Sequence, residues 1–189
     1  MKTVKNFKNI LSKADPKGFV IIIDEKDKNL GHWVTMPSNL NVETYGYELN
    51  GQDITKTHKF VGLPYYNGSK MFNGNGQDGD LTIKNEYKSL EKYGHIFSIS
   101  KFLEMLSSHD DEALLMCFDG HLISKILLNG ETTPSLKNAY GSWEKFYSKP
   151  NDFVYLIKGE KTKHFFRGKL KNESINNLIK KELRKTNIK

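Results

Sequence analysis

Residues 18–36 read GFVIIIDEKDKNLGHWVTM. The run 19–23 is continuous, apolar and β-branched, the pattern of a strand buried on both faces. The polar residues 24–31 predict a loop, and 32–36 predict a second strand. Pro37, Ser38 and Asn39 mark a turn, and 40–47 alternates as a third strand. With the turn centred on Pro37 and Ser38, Met36 faces Asn39, Val34 faces Asn41 and His32 faces Glu43. Directly opposed residues of an antiparallel pair share one face, with Cβ atoms about 4.5–5.5 Å apart. An imidazole oriented by a carboxylate is the base half of a catalytic triad. His32 is therefore the candidate base and Glu43 its orienting acid; Glu48 takes that place if the register slips.

Cys117 is the only cysteine of the chain, so no internal disulfide forms. It follows the apolar run 113–116. Behind it, Leu122, Ile123, Ile126 and Leu127 fall at helical spacing, which predicts a helix beginning at Cys117. A thiol at a helix N-terminus ionises readily, because the dipole and free N–H groups stabilise the thiolate. Such a thiolate attacks a carbonyl, and an imidazole then protonates the leaving amine. Cys117 is the candidate nucleophile. A lone Cys in an apolar run more often serves as a small buried hydrophobe; the strand-borne His32 with its acid tips the reading toward catalysis. His121, beside Asp119, is the alternative base.

Elsewhere, 4–14 places Val4, Phe7, Ile10 and Leu11 on one helical face, ended by Asp15-Pro16 and Gly18. The glycine- and asparagine-rich stretch 51–79 predicts a long surface excursion. Helices are predicted over 84–94, 100–107 with Ser100 as cap, 135–148, and a Lys-rich 172–186; 153–157 predicts a strand. The whole, 1–189, reads as a single α+β domain.

The chain has 189 residues and a formal net charge of +7. That balance suits acidic partners, DNA among them, and says nothing about the fold. No stretch approaches the ~20 apolar residues of a membrane-spanning helix, and no signal peptide is evident, so a soluble intracellular protein is expected. Asp78 and Asp80 resemble part of a calcium loop, but no Glu completes it at the required spacing. The glycines of 68–79 lack the context of a phosphate loop. Neither a metal nor an organic cofactor is expected.

The stretch 18–36, with GHWV at 31–34, followed by Glu43-Thr44-Tyr45-Gly46, and the later 113–117 with 122–130 behind it, resembles the adenovirus-type maturation cysteine proteases. These are relatives of the ubiquitin-like-protein proteases and occur also in virophages and Polinton-type elements. The order His, acid, Cys is that of the family. The resemblance implies a papain-like fold, with a central antiparallel sheet packed against a helix carrying the Cys. It implies a thiol endopeptidase that uses Cys117, His32 and Glu43 to cleave capsid and core precursor polypeptides, in the virion and in the cytoplasm or nucleus of the infected cell. DNA and an activating peptide are implied partners. The family has Gly after the Cys where this chain has Phe118. It also has a Gln upstream that helps form the oxyanion hole; here Asp110 or His109 stands near that position, and the hole rests on the Cys117 backbone N–H with Asp110 as the second candidate. The same charge and fold also allow a non-enzymatic, basic, DNA-associated protein, or a protease that removes ubiquitin-like tags.

Overall fold

The computed structural model describes residues 1–24, 27–66, 97–128 and 153–167, together with their side chains except those of 27–31 and 66. The helices expected over 84–94, 135–148 and 172–186 lie outside the described residues.

Helix α1 (Val4–Leu11) starts on a reciprocal cap. The Thr3 side chain accepts from the Asn6 N–H, and the Asn6 side chain accepts from the Thr3 N–H. Strand β1 (Phe19–Asp24) is the apolar run expected there. It pairs antiparallel with β2 (Asp27–Val34), Ile22 opposite His32. The segment 24–31 is therefore largely the start of a strand, where the sequence suggested a loop. The expected third strand of that sheet is absent. Instead β3 (Ser38–Asn39) pairs with β6 (Phe60–Leu63), while β4 (Tyr45–Leu49) joins β5 (Gln52–Asp53) and β11 (Lys163–Phe166) in a separate three-stranded ribbon. The reason is local: the Asn41 side chain accepts from the Glu43 and Thr44 N–H groups, folding 41–44 into a turn.

The main sheet runs β3-β6-β8-β9-β10-β1-β2-β7, with β7 (Tyr65–Tyr66), β8 (Leu114–Cys117), β9 (His121–Leu128) and β10 (Phe153–Lys161). Its two ends are one seam. β2 runs into β3 and β6 into β7, and the two composite strands pair along their length: Trp33 with Tyr66, Val34 with Tyr65, Ser38 with Gly62, Asn39 with Val61. Thr35 N–H donates to the Pro64 carbonyl at 2.8 Å between these stretches. The eight segments are thus six strands of a closed barrel. The segment 60–66, expected in a surface excursion, is one of its staves.

β1, β6, β8 and β10 run in one direction, as their parallel pairs with each other and antiparallel pairs with β9 require. Their starting ends meet the helices: Val4 N–H bonds the Ala113 carbonyl, and Ile99 N–H at the start of α2 (Ile99–Leu106) bonds Gly18. α2 is capped by Ser98, two residues before the cap expected. Phe7, Leu11, Phe102 and Leu106 join Ile22, Leu63, Leu115 and Leu156 in one buried cluster. The helix end of the barrel is therefore apolar. Outside, Tyr47 of the ribbon packs with Phe60, Leu114, Met116 and Leu122 in a second cluster. The opposite wall buries Phe19, Trp33 and Phe153, with Phe19 against both others at 5.8 Å between ring centroids.

The helix expected at Cys117 is a strand pair. β8 ends at Cys117, Gly120 turns the chain with φ +91, and β9 leads back. Gly120 is required there, since a Cβ would lie 2.9 Å from the His164 Nε2 in a backbone conformation side chains avoid.

Trp33→Ala should destabilise the protein by about 3–5 kcal/mol, the usual cost of a large aromatic core truncation. Phe118→Ala, at a side chain 77% exposed, should change stability by no more than about 0.5 kcal/mol. Urea unfolding of the two variants measures both; equal losses would contradict the barrel wall described.

Candidate functional site

The barrel end away from the helices is polar. It gathers the finishing ends of the four co-directional strands, where Asp24, Tyr65, Cys117 and Lys158 sit, with His32 of β2 opposite Ile22, two residues short of Asp24. Lys158 is nearly buried, its side chain 7% exposed, and its Nζ lies 2.8 Å from the Asp119 Oδ2. The Tyr65 hydroxyl donates to the same carboxylate oxygen at 3.1 Å. The Lys158 ammonium stands 4.8 Å from the Tyr65 ring centroid, and the His32 ring stacks on Tyr65 at 4.7 Å. On its other oxygen, Asp119 meets the His121 Nδ1 at 3.0 Å and accepts from the His121 N–H at 3.3 Å.

Burial raises the Asp119 pKa, but the Lys158 and His121 contacts outweigh it and leave the carboxyl well below its usual range. Burial likewise opposes the charge on Lys158, yet Asp119 holds its pKa above the ordinary value. The Tyr65 hydroxyl is raised by burial and then by the neighbouring Asp119. The group is an ion pair with an aromatic lid, ionised throughout the physiological range.

The expected triad does not assemble around it. His32 and Cys117 do face the same barrel interior, since His32 stacks on Tyr65 and Cys117 lies opposite Leu63, two residues before Tyr65. Glu43 is elsewhere. It lies exposed in the turn after β3, and the β2–β3 stave carries the chain about 20 Å along the barrel between His32 and that turn. His32 is paired to β1 and its strand to β7, so no cross-strand His32–Glu43 pair exists. Glu48 lies in the ribbon opposite Lys163.

Cys117 is buried in the cluster that fills the barrel. Burial, and then the Asp119 carboxylate, push its thiol up to about 12. This is the opposite of the lowered pKa that a helix N-terminus would give; the strand supplies no dipole and no free N–H groups. The backbone beside it is engaged, with Phe118 N–H donating to the Leu63 carbonyl and Cys117 C=O accepting from Gly120. Asp110 lies at the other end of β8, about 10 Å of strand away, where it pairs with Lys59 at 2.7 Å. It lines no hole with Cys117.

A second surface escaped the sequence reading. In the ribbon, Phe166 pairs with Tyr45, the rings edge to face at 5.8 Å, and the two are 48% and 50% exposed. His164 is exposed on the same strand face as Phe166, while the exposed Lys163 lies on the other face, opposite Glu48, and the exposed Lys161 ends β10. The Arg167 guanidinium donates to the Val42 carbonyl at 3.1 Å and lies 3.9 Å from the Asp53 carboxylate, fastening the end of β11 to the turn before β4. The stretch 161–167 (KTKHFFR) sets basic residues around two consecutive phenylalanines, and was the available signal.

Comparison with known protein families, with curated proteins and with solved structures found no match. Among the described residues, no group of three or more His, Cys, Asp or Glu side chains is placed to hold a metal ion, and no helix is long and apolar enough to cross a membrane.

The Asp119–Lys158 pair has a pH signature. Asp119 has a depressed folded pKa, so its contribution is present above the unfolded carboxyl value, about 3.9, and fades as the pH falls through the folded value. Lys158 has a raised folded pKa, so its contribution is complete below about 10.4 and is lost as the pH rises beyond it. Asp119→Asn should cost about 2–4 kcal/mol near neutral pH, because it strands a buried ammonium. The difference from the parent should shrink below about pH 4. Asp119→Asn combined with Lys158→Met should recover part of the loss. Urea midpoints across the pH range test this, and a loss independent of pH would contradict it.

Proposed function

We propose that the chain is a basic nucleic-acid-associated barrel protein that binds single strands on its ribbon. The observation that carries the reading is the half-exposed Tyr45–Phe166 pair, with the exposed Arg167 next to it in the chain. Aromatic faces exposed on a β-surface next to cations suit stacked bases and a phosphate chain, and this recognition tolerates any sequence because every base has a π-face. The net charge of +7 adds a favourable long-range field. The neutral, buried Cys117 thiol favours this reading over thiolate chemistry.

A labelled single-stranded oligonucleotide followed by fluorescence anisotropy tests it. Binding should weaken steeply with salt, as counterions are released. Tyr45→Ala with Phe166→Ala should weaken it at least about tenfold, since each stacked base is worth about 1–3 kcal/mol. Lys161→Ala with Lys163→Ala should flatten the salt slope by roughly 1.4, at about 0.7 per lost phosphate contact. No binding at about 50 mM salt, or binding indifferent to the aromatic pair, would overturn the proposal.

A second reading is a cysteine endopeptidase of the adenovirus maturation type, on a papain-like fold. One observation favours it: His32 and Cys117 face one interior at one end, with Tyr65 between their strands. Its substrates would be capsid and core precursors within the virion or infected cell, with DNA and an activating peptide as stimulators. It requires the thiol to leave its burial and ionise despite Asp119. Native iodoacetamide labelling separates the readings. Slow labelling that accelerates only on unfolding supports the binding protein. Fast labelling at neutral pH, with peptide cleavage abolished by Cys117→Ala, supports the protease.

A further inference from the structure

Among the described residues, Phe118 is the most exposed large apolar side chain, at 77%. The strand that delivers it sets where it points. Along β8, Leu115 and Cys117 enter the cluster inside the barrel, while Leu114 and Met116 enter the outer cluster under the ribbon. The alternation sends the next residue, Phe118, to the outer side as well, but past the end of that cluster. Its backbone is fixed. Phe118 N–H donates to the Leu63 carbonyl at 3.3 Å, and Gly120 N–H donates to the Cys117 carbonyl at 2.9 Å. Between them, Asp119 is held by Lys158, Tyr65 and His121. A ring left in water on so constrained a turn loses little freedom when another ring settles on it.

Scattered exposed apolar side chains need no explanation; what lies beside its turn singles this one out. The Gly120 carbonyl accepts from the Thr162 N–H and from the Thr162 hydroxyl, each at 2.9 Å. The same hydroxyl lies 3.5 Å from the Met116 sulfur, on the outer side that Phe118 shares. Thr162 leads directly into β11, and the His164 Nε2 lies 2.9 Å from where a Gly120 Cβ would stand. His164 is exposed and shares its strand face with Phe166, about 7 Å further along. One outer surface therefore runs from the Tyr45–Phe166 pair, past the His164 ring, to the β8–β9 turn. The charges along it are compatible with a phosphate chain. The carboxylate nearest Phe118, that of Asp119, is neutralised by Lys158 at the barrel end, and the exposed Lys161 stands opposite His121 at the same rim.

We infer that Phe118 is a further base-stacking residue, so that a single strand seated on the Tyr45–Phe166 pair continues past His164 and lays a base on the ring at the β8–β9 turn. The occupant is a nucleic-acid single strand because the surface is continuous with the aromatic pair and the chain as a whole is basic. Stacking on an exposed ring needs no base-edge contact, so no base is preferred. The inference rests on the nucleic-acid reading above and deepens it.

The test uses the full chain and a labelled single-stranded oligonucleotide followed by anisotropy over a range of salt. Phe118→Ala should weaken binding about tenfold, in keeping with the loss of one stacked base. The slope of affinity against salt should stay that of the parent, because the group removed is uncharged. Phe118→Trp, which keeps a stacking ring, should recover the affinity lost in the alanine variant. Its added emission, taken as the difference from a parent that already carries Trp33 and Trp143, should be quenched as the oligonucleotide saturates. A parent-like affinity in Phe118→Ala, a loss that also changes the salt slope, or tryptophan emission at 118 indifferent to the oligonucleotide overturns the inference. The nucleic-acid reading then still stands if Tyr45→Ala with Phe166→Ala weakens binding. Failure of the parent to bind at low salt overturns both.

Discussion

The seam between 32–39 and 60–66 is the constraint on which the rest depends. Two chain segments, each broken in the middle, close the sheet upon itself. Without their pairing the sheet would have two long exposed edges, a template for aggregation. The register slips by one across the seam. Val34 sits opposite Tyr65 and Asn39 opposite Val61, so the segment between Val34 and Ser38 holds one residue more than the segment facing it. An extra residue bends and twists a stave, which a barrel of only six strands needs in order to close. Pro64 fits because it stands at this break, where its carbonyl serves the Thr35 N–H and its missing N–H costs no ladder bond.

Closure also gives the barrel two unlike ends. Four strands begin at the helices and finish together, so whatever residues end those strands meet. At the helix end these are apolar. At the other end Asp119 and Lys158 enter as charges, and each is acceptable in a low dielectric only because the other is there. Tyr65 joins them by its hydroxyl and its ring. The pair then governs the fate of the thiol. A carboxylate held ionised beside Cys117 disfavours a second negative charge, which adds to the desolvation that already keeps the sulfur protonated. The order His32, Glu43, Cys117 stands in the sequence, while the electrostatics at the sulfur run against thiolate chemistry.

Much of this was legible in the residues, and what was not has definite causes. α1, α2, β1 and β10 appear where periodicity and apolar runs put them. β9 misled because of its bulge. Along it, Ile123 and Ile126 face the interior, then Leu128, and the pairing with β10 shifts between Lys125 and Ile123. An alternation interrupted by one extra residue produces a step of three, which imitates a helical face. The stave 60–66 was hidden by Gly62 and Pro64, both of which read as breakers. Gly62 is there to admit the Leu40 side chain, whose Cδ2 would lie 2.7 Å from a Cβ. The 32–43 pairing failed because an Asn side chain made its own turn two residues before Glu43. At the site, the sequence located two of the interior groups, His32 and Cys117. It undervalued Lys158 and Asp119, whose partnership is formed by residues 39 positions apart and leaves no local trace.

The placement of charge on the outside follows from the same geometry. Inside the barrel end, Lys158 is neutralised by Asp119 and contributes little field beyond it. Along the seam and the loops, Lys59 with Asp110 and Lys8 with Asp111 are paired likewise. Lys163 stands exposed on a ribbon that packs on the barrel through Tyr47 rather than through its basic side chains, and Lys161 stands exposed at the end of β10, just before that ribbon. A stiff two-layer support of this kind fixes Tyr45 and Phe166 before any ligand arrives, so a stacking base would lose its own freedom but the protein would lose little. Preorganisation of that sort raises affinity by lowering the entropy cost of binding rather than by adding contacts.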